Sequence, residues 1–294
     1  MSVQSRMIRF LFTRSDNKRD AGLCTPDEII RSDDICYGDN TKWQVLDVYR
    51  PKMSGIQPLP VIVSVHGGGW VYGDKERYQY YCMDLARRGF AVVNFTYRLA
   101  PRHKFPASLE DTSLAFSWVS TNAKQYGLDL DHVFAVGDSA GAHLLGLYCC
   151  MCVNPEYARS YSFAASAMLK PNAIALNCGI YEIRTTGGSM NKSLMKDVLP
   201  EKGTDDELEQ INVLRHMNSD FPPVLYMTCS GDFLQDQAAL LGERLHKLQI
   251  PSVSKFYGDK DHILPHVFHC DIRSHEAARC NDEECAFFRS FLSF

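Results

Sequence analysis

The chain has no long apolar run, no basic excess and no low-complexity tract. No stretch approaches the ~20 apolar residues of a bilayer-spanning helix, so a membrane-embedded fold is not expected. The only apolar cluster near Arg6 and Arg9 is Phe10-Leu11-Phe12, too short for the core of a secretory signal; a cytoplasmic location is the expectation. The 31 lysines and arginines against 35 acidic residues give a formal net charge of −4. That leaves no basic footprint for nucleic-acid phosphates or anionic lipid, and neither a nucleic acid nor a membrane is expected as a partner. A paired cysteine framework is missing too. The 11 cysteines are odd in number and irregularly spaced, unlike a secreted disulfide scaffold, and read as reduced thiols.

What is present is the balance of an ordinary globular protein, with 45% hydrophobic and 22% charged residues in 294. That length suits one α/β domain carrying a cap. From about residue 43, strand-like and helix-like segments alternate, the signature of parallel βαβ units. The strand-like runs are 61–65, 91–95, 133–136, 173–176 and 224–227, with a weaker one at 252–257. Helical periodicity fills Ala107 to Gln125, with Leu109, Ala115, Phe116 and Val119 on one face, and Ala238 to Leu248. Two segments break the alternation: 1–40, charged and without strand periodicity, and about 180–220, interrupted by Gly187-Gly188. The expected organisation is a cap segment at 1–40 and an α/β domain at 41–294 with a cap insertion at 180–220, since insertions sit at the loop ends where ligands bind.

Gly137-Asp138-Ser139-Ala140-Gly141 follows one strand and precedes a helical run. A sharp strand-to-helix turn of this kind lifts the serine hydroxyl clear of the sheet and sets the Ala140 N–H beside an oxygen that becomes negative during acyl transfer. His66-Gly67-Gly68-Gly69-Trp70 follows the strand at 61–65; consecutive glycines let backbone N–H groups approach a substrate oxygen unobstructed by Cβ atoms. In this arrangement an acid and then a histidine follow the serine at later strand ends. Asp232 and His262 stand just past the strands ending near Cys229 and Tyr257. Asp236 is the competing carboxylate, but its place beside the helical run beginning at Ala238 suits a helix cap better.

These motifs resemble the hormone-sensitive-lipase family of carboxylesterases over about residues 40–294. An HGGGW loop and a GDSAG elbow are joined here by Tyr97-Arg98-Leu99-Ala100-Pro101 and Phe105-Pro106-Ala107. The resemblance implies an α/β-hydrolase fold, a triad of Ser139, Asp232 and His262, and an oxyanion hole formed by the N–H groups of Gly68, Gly69 and Ala140, with Gly67 mainly structural. The chain departs from the family pattern at Phe233 after the acid, at Arg102 and at Ala142. The implied reaction is cofactor-free and metal-free hydrolysis of a small ester through an acyl-enzyme. An arylformamidase-like amidase and a catalytically inert ligand-binding fold are the alternatives. His266, His269, His275, Cys280 and Cys285 carry no strict zinc-ligand pattern, and Cys149, Cys150 and Cys152 read as core thiols.

Overall fold

β-branched runs flanked by glycine become the buried strands of one sheet, because each strand alternates its side chains between two helix-covered faces. In the computed structural model, which describes residues 1–55, 57–164, 168–183 and 189–292, the strands are β1 (Ile29–Cys36), β2 (Val45–Pro51), β3 (Leu59–Val65), β4 (Ala91–Phe95), β5 (Leu128–Asp138), β6 (Ala173–Asn177), β7 (Val224–Cys229) and β8 (Ser252–Tyr257). Their spatial order is β1-β2-β4-β3-β5-β6-β7-β8. β2 pairs antiparallel with β1 and β4; all other pairings are parallel. This is the mostly parallel α/β-hydrolase sheet that was expected. The helices are α1 (Val3–Asp20), α2 (Lys75–Arg87), α3 (Ala107–Tyr126), α4 (Ala140–Val153), α5 (Pro155–Ala158), α6 (Ser189–Val198), α7 (Asp205–Gln210), α8 (Val213–His216), α9 (Gln235–Lys247) and α10 (His275–Arg289).

Alternation along β3 divides the core. Val61, Val63 and Val65 pack with Leu109, Phe116 and Leu144 of α3 and α4. Ile62 faces the opposite layer, with Tyr81, Met83 and Leu85 of α2 and Phe288 of α10. The chain leaves β3 for β4 on one side and returns to β5 on the other. Such a reversal opens a crevice at the carboxyl ends of the strands. Both the glycine loop after β3 and the elbow after β5 border that crevice, with Val65 paired to Gly137 at its edge.

The segment 1–40 contains a strand that its lack of periodicity did not announce. It supplies α1 and then β1, an edge strand antiparallel to β2 with a register shift between Ser32 and Ile35. β1 escapes a periodicity reading because only Ile29 is buried along IIRSDDIC; a charged, irregular edge of this kind discourages pairing with another chain. In the expected insertion, Gly187-Gly188 lies outside the described residues, and α6, α7 and α8 form the remainder. Among the described residues no helix is long and apolar enough to cross a membrane.

Candidate active site

The elbow is built by crowding. Ser139 stands between β5 and α4 with φ 50° and ψ −117°, a left-handed backbone that costs about 1–3 kcal/mol in a non-glycine residue and persists only where its surroundings enforce it. Its N–H donates to the Asn177 carbonyl at 3.0 Å. A Cβ on Gly141 would strike the Val65 carbonyl oxygen, and one on Gly137 would lie 2.7 Å from the Gly141 oxygen. Both neighbours of the turn must therefore be glycine.

The β3 loop is held from behind. The His66 ring is fully buried and stacks on Tyr97 with centroids 3.9 Å apart. Burial pushes its imidazole down to about 4, so it is neutral and acts as a wedge under the loop. The Gly67 N–H donates to Tyr78 Oη (2.9 Å), whose hydroxyl donates to Asp138 Oδ2 (2.7 Å). That amide is thereby engaged in the wall. Gly68 has φ +112°, and a Cβ there would strike the Tyr72 carbonyl. Asp138 itself is pushed up to about 6 by burial, against the pull of the Tyr78 hydrogen bond.

At the β7 end, Gly231 bridges to Pro265 and its N–H donates to the Leu264 carbonyl at 2.9 Å. This parallel contact draws the segment after β8 across the sheet end. His266 Nδ1 meets Asp232 Oδ1 at 2.7 Å. The same carboxylate accepts from the Leu234 N–H (2.9 Å) and the Thr228 hydroxyl (2.7 Å). Burial alone would raise Asp232; the His266 hydrogen bond and charge, with the other two donors, hold it below the usual carboxylate range.

His262 is not the histidine that meets Asp232. After β8 the chain folds a tight turn in which Asp259 Oδ1 accepts from the Asp261 and His262 N–H groups, each at 2.8 Å. This aims His262 outward, 59% exposed, with Nε2 3.0 Å from Glu276 Oε1. The chain needs four more residues to return to the sheet end, and His266 takes the inward place with a side chain only 12% exposed. The two settings differ in the structure: Leu264 and Phe268 on either side of His266 are buried, whereas Lys260, Asp261 and Ile263 beside His262 are exposed. Asp236, in the first turn of α9, is exposed, and the helix has no side-chain cap bond.

Two chambers meet at Ser139. One, of about 180 Å³, is lined by Asp16, Arg19, Tyr72, Tyr78 and His266 together with Gly67 and Gly68. The other, of about 220 Å³, is lined by Met7, Ile8, Trp70, Ile180 and Leu194 together with Gly69 and Ala140. Phe12, Ser139 and Phe233 belong to both. Trp70 is fixed by His143, whose Nδ1 accepts the indole N–H at 3.3 Å while Nε2 pairs with the Ile211 carbonyl at 2.8 Å. Gly68, Gly69 and Ala140 thus all border the space in front of the serine.

The imagined zinc ligands do not gather. His269 is wholly buried against Tyr81 and pushed down to about 3 by burial, while His275 is exposed at the start of α10. Among the described residues, Cys178, Asp232 and His266 are close enough to share an ion, their ligand atoms lying within 4.8 Å of one another. The Asp232–His266 hydrogen bond already occupies two of those three groups.

The BD-FAE family model matches residues 46–245. Esterase LipC of Mycobacterium tuberculosis is 35% identical over 124 residues, 42% of this chain and 30% of LipC. LipQ of the same organism is 30% identical over 167 residues, 56% of this chain and 39% of LipQ. The chain thus spans well under half the length of these two relatives. Versiconal hemiacetal acetate esterase of Dothistroma septosporum is 26% identical over 227 residues, 72% of this chain and 67% of its own. Among solved structures, esterase B of Lactobacillus rhamnosis, inhibited by a tributyrin phosphonate, superposes with a TM-score of 0.87 at 25% identity, covering 98% of this chain and 94% of that one. A family match over more than half of the sequence decides the assignment: the chain belongs to the hormone-sensitive-lipase-like family of α/β-hydrolase carboxylesterases.

Proposed function

We propose that this protein hydrolyses short-chain carboxylic esters through an acyl-enzyme, with Ser139 as nucleophile, His266 as general base and Asp232 as its orienting acid. The observation that carries the reading is the 2.7 Å Asp232–His266 hydrogen bond, with His266 lining the same cavity as the strained Ser139. Asp232 keeps the proton on Nδ1 and leaves Nε2 to take the serine proton as Oγ attacks the ester carbonyl. The N–H groups of Gly68, Gly69 and Ala140 receive the developing oxyanion. The alcohol leaves with the proton from His266, and water, activated in turn by His266, releases the acid. An inert binding fold has no need of this dyad, so its presence favours catalysis.

Chambers of about 180 and 220 Å³ are each smaller than the roughly 300 Å³ at which drug-sized pockets begin, which supports short acyl chains of about two to six carbons. The test is Ser139→Ala. It should abolish both nitrophenyl butyrate hydrolysis and fluorophosphonate labelling without unfolding the chain. Labelling that persisted at another serine would overturn the assignment, and a preference for acyl chains beyond about ten carbons would overturn the size argument.

A further inference from the structure

We propose that the two chambers divide the ester between them: the apolar one takes the acyl chain, and the one walled by Asp16, Arg19 and Tyr72 takes a small alcohol carrying further hydroxyl groups, of glycerol size. This rests on the esterase reading above. The orientation follows from proton transfer. The leaving oxygen must take its proton from His266, and His266 lines the polar chamber and not the apolar one. The alcohol half therefore departs on the polar side. The apolar chamber contains no charged side chain, and apart from Gln4 and Ser139 its side chains are aliphatic or aromatic, so a hydroxyl against most of its wall would lose its hydration uncompensated.

The chemistry of the alcohol follows from the wall. Asp16 Oδ2 accepts from Tyr72 Oη at 2.8 Å, and Oδ1 pairs with Arg19 Nη1 at 3.1 Å. A carboxylate offers about four acceptor sites, so this one, 16% exposed toward the cavity, keeps acceptors for incoming hydroxyls. Burial pushes its carboxyl up even with Arg19 beside it. Arg19 is clamped by both oxygens of Asp20 at 2.7 and 2.9 Å. Arg19 and the nearby Arg77 are matched by the carboxylates of Asp16 and Asp20, which leaves no surplus positive charge to hold an anionic alcohol. A neutral polyol donates to Asp16 with no charge to offset.

The experiment compares glyceryl butyrate with propyl butyrate, which share carbon count on the alcohol side but differ in hydroxyls, and propyl butyrate with propyl 3-hydroxybutyrate, which moves the hydroxyl to the acyl side. Wild-type protein should favour the glyceryl ester by about tenfold in kcat/KM, a hydrogen bond's worth, and should disfavour the hydroxylated acyl chain. Asp16→Ala and the milder Tyr72→Phe should each pull the glyceryl-to-propyl ratio toward one, with fluorophosphonate labelling of Ser139 reporting that each variant is folded. Equal use of the two alcohols, a ratio that survives both substitutions, or preference for the hydroxylated acyl chain overturns the inference and leaves the esterase reading standing. If no ester is turned over and Ser139 is not labelled, the esterase reading itself fails.

Discussion

His262 and His266 stand four residues apart and differ in what surrounds their rings: one pairs with Glu276 on the surface, the other is enclosed with Asp232. An exposed ion pair is worth about 0–1 kcal/mol, so His262→Ala should keep kcat/KM within about twofold of wild type. His266→Ala should lower kcat by a factor on the order of 10⁴ or more, and Asp232→Asn by about 10³ to 10⁴ as the wrong imidazole tautomer is held. Steady-state kinetics on the three variants decides the matter; loss in the His262 variant with retention in the His266 variant would restore the first candidate. The strand-end positions of Ser139 and Asp232 were legible in sequence because each sits within three residues of its strand end, where local pattern fixes position. The placement of His266, and not His262, beside Asp232 was not. Its place depends on a turn closed by Asp259 and on the Gly231–Pro265 bridge, contacts between segments that no local window contains.

Among the elements, α1 matters most to the site, since its Ile8 and Asp16 stand in different chambers. It is pinned near its start by Asp197 of α6, whose Oδ2 accepts from the Ser5 hydroxyl and the Ser2 N–H, each at 2.6 Å. Arg9 donates to the Val71 and Ala100 carbonyls at 2.6 and 3.1 Å, and Arg273 donates to the Ala21 carbonyl at 3.2 Å beyond its last turn. Asp197→Ala leaves the buried Ser5 hydroxyl with Ser2 Oγ, 3.1 Å away, as its remaining partner and frees the Ser2 N–H, at a cost of about 1 kcal/mol. The loosened helix should raise KM on the order of tenfold while kcat changes less, because the Asp232–His266 pair lies elsewhere. A kcat loss as large as that in KM would mean that α1 shapes the reacting groups and not only the walls. The helical character of 107–126 and 235–247 could be read from periodicity, and their outlines follow the reading closely. α1 does carry a helical stripe in Val3, Met7, Phe10 and Leu11, but it stays exposed and so never faces the core; β1 is a charged edge without a core-facing pattern.

Across the whole molecule, buried acids tie the layers together beneath the site. Glu284 of α10 accepts from Tyr81 of α2 at 2.9 Å and from Asn177 at the end of β6 at 2.7 Å, and Asn177 in turn accepts the Ser139 N–H. Burial pushes Glu284 from 4.5 up to about 7. The folded state therefore binds this proton more tightly than the unfolded chain. Its contribution to stability is complete below pH 4.5 and is lost as pH rises toward 7, a span worth about 3 kcal/mol at 1.36 kcal/mol per unit. Asp232 acts with the opposite sign, its held-down carboxylate supporting the fold at neutral pH and ceasing to do so in acid. The buried neutral His66 and His269 act in the opposite direction over the same range and do so equally in wild type and variant, so urea unfolding at pH 5 and pH 8 should show the stability of Glu284→Gln relative to wild type rising toward the higher pH; a difference that does not change with pH would remove Glu284 as a contributor. The sharing of Phe12 and Phe233 between the two chambers bears on how such an enzyme can change over generations. A substitution at either ring alters both halves of the accepted ester at once, so tastes for acid and for alcohol are inherited together and drift as a pair, and only positions private to one chamber let a lineage retune one without the other.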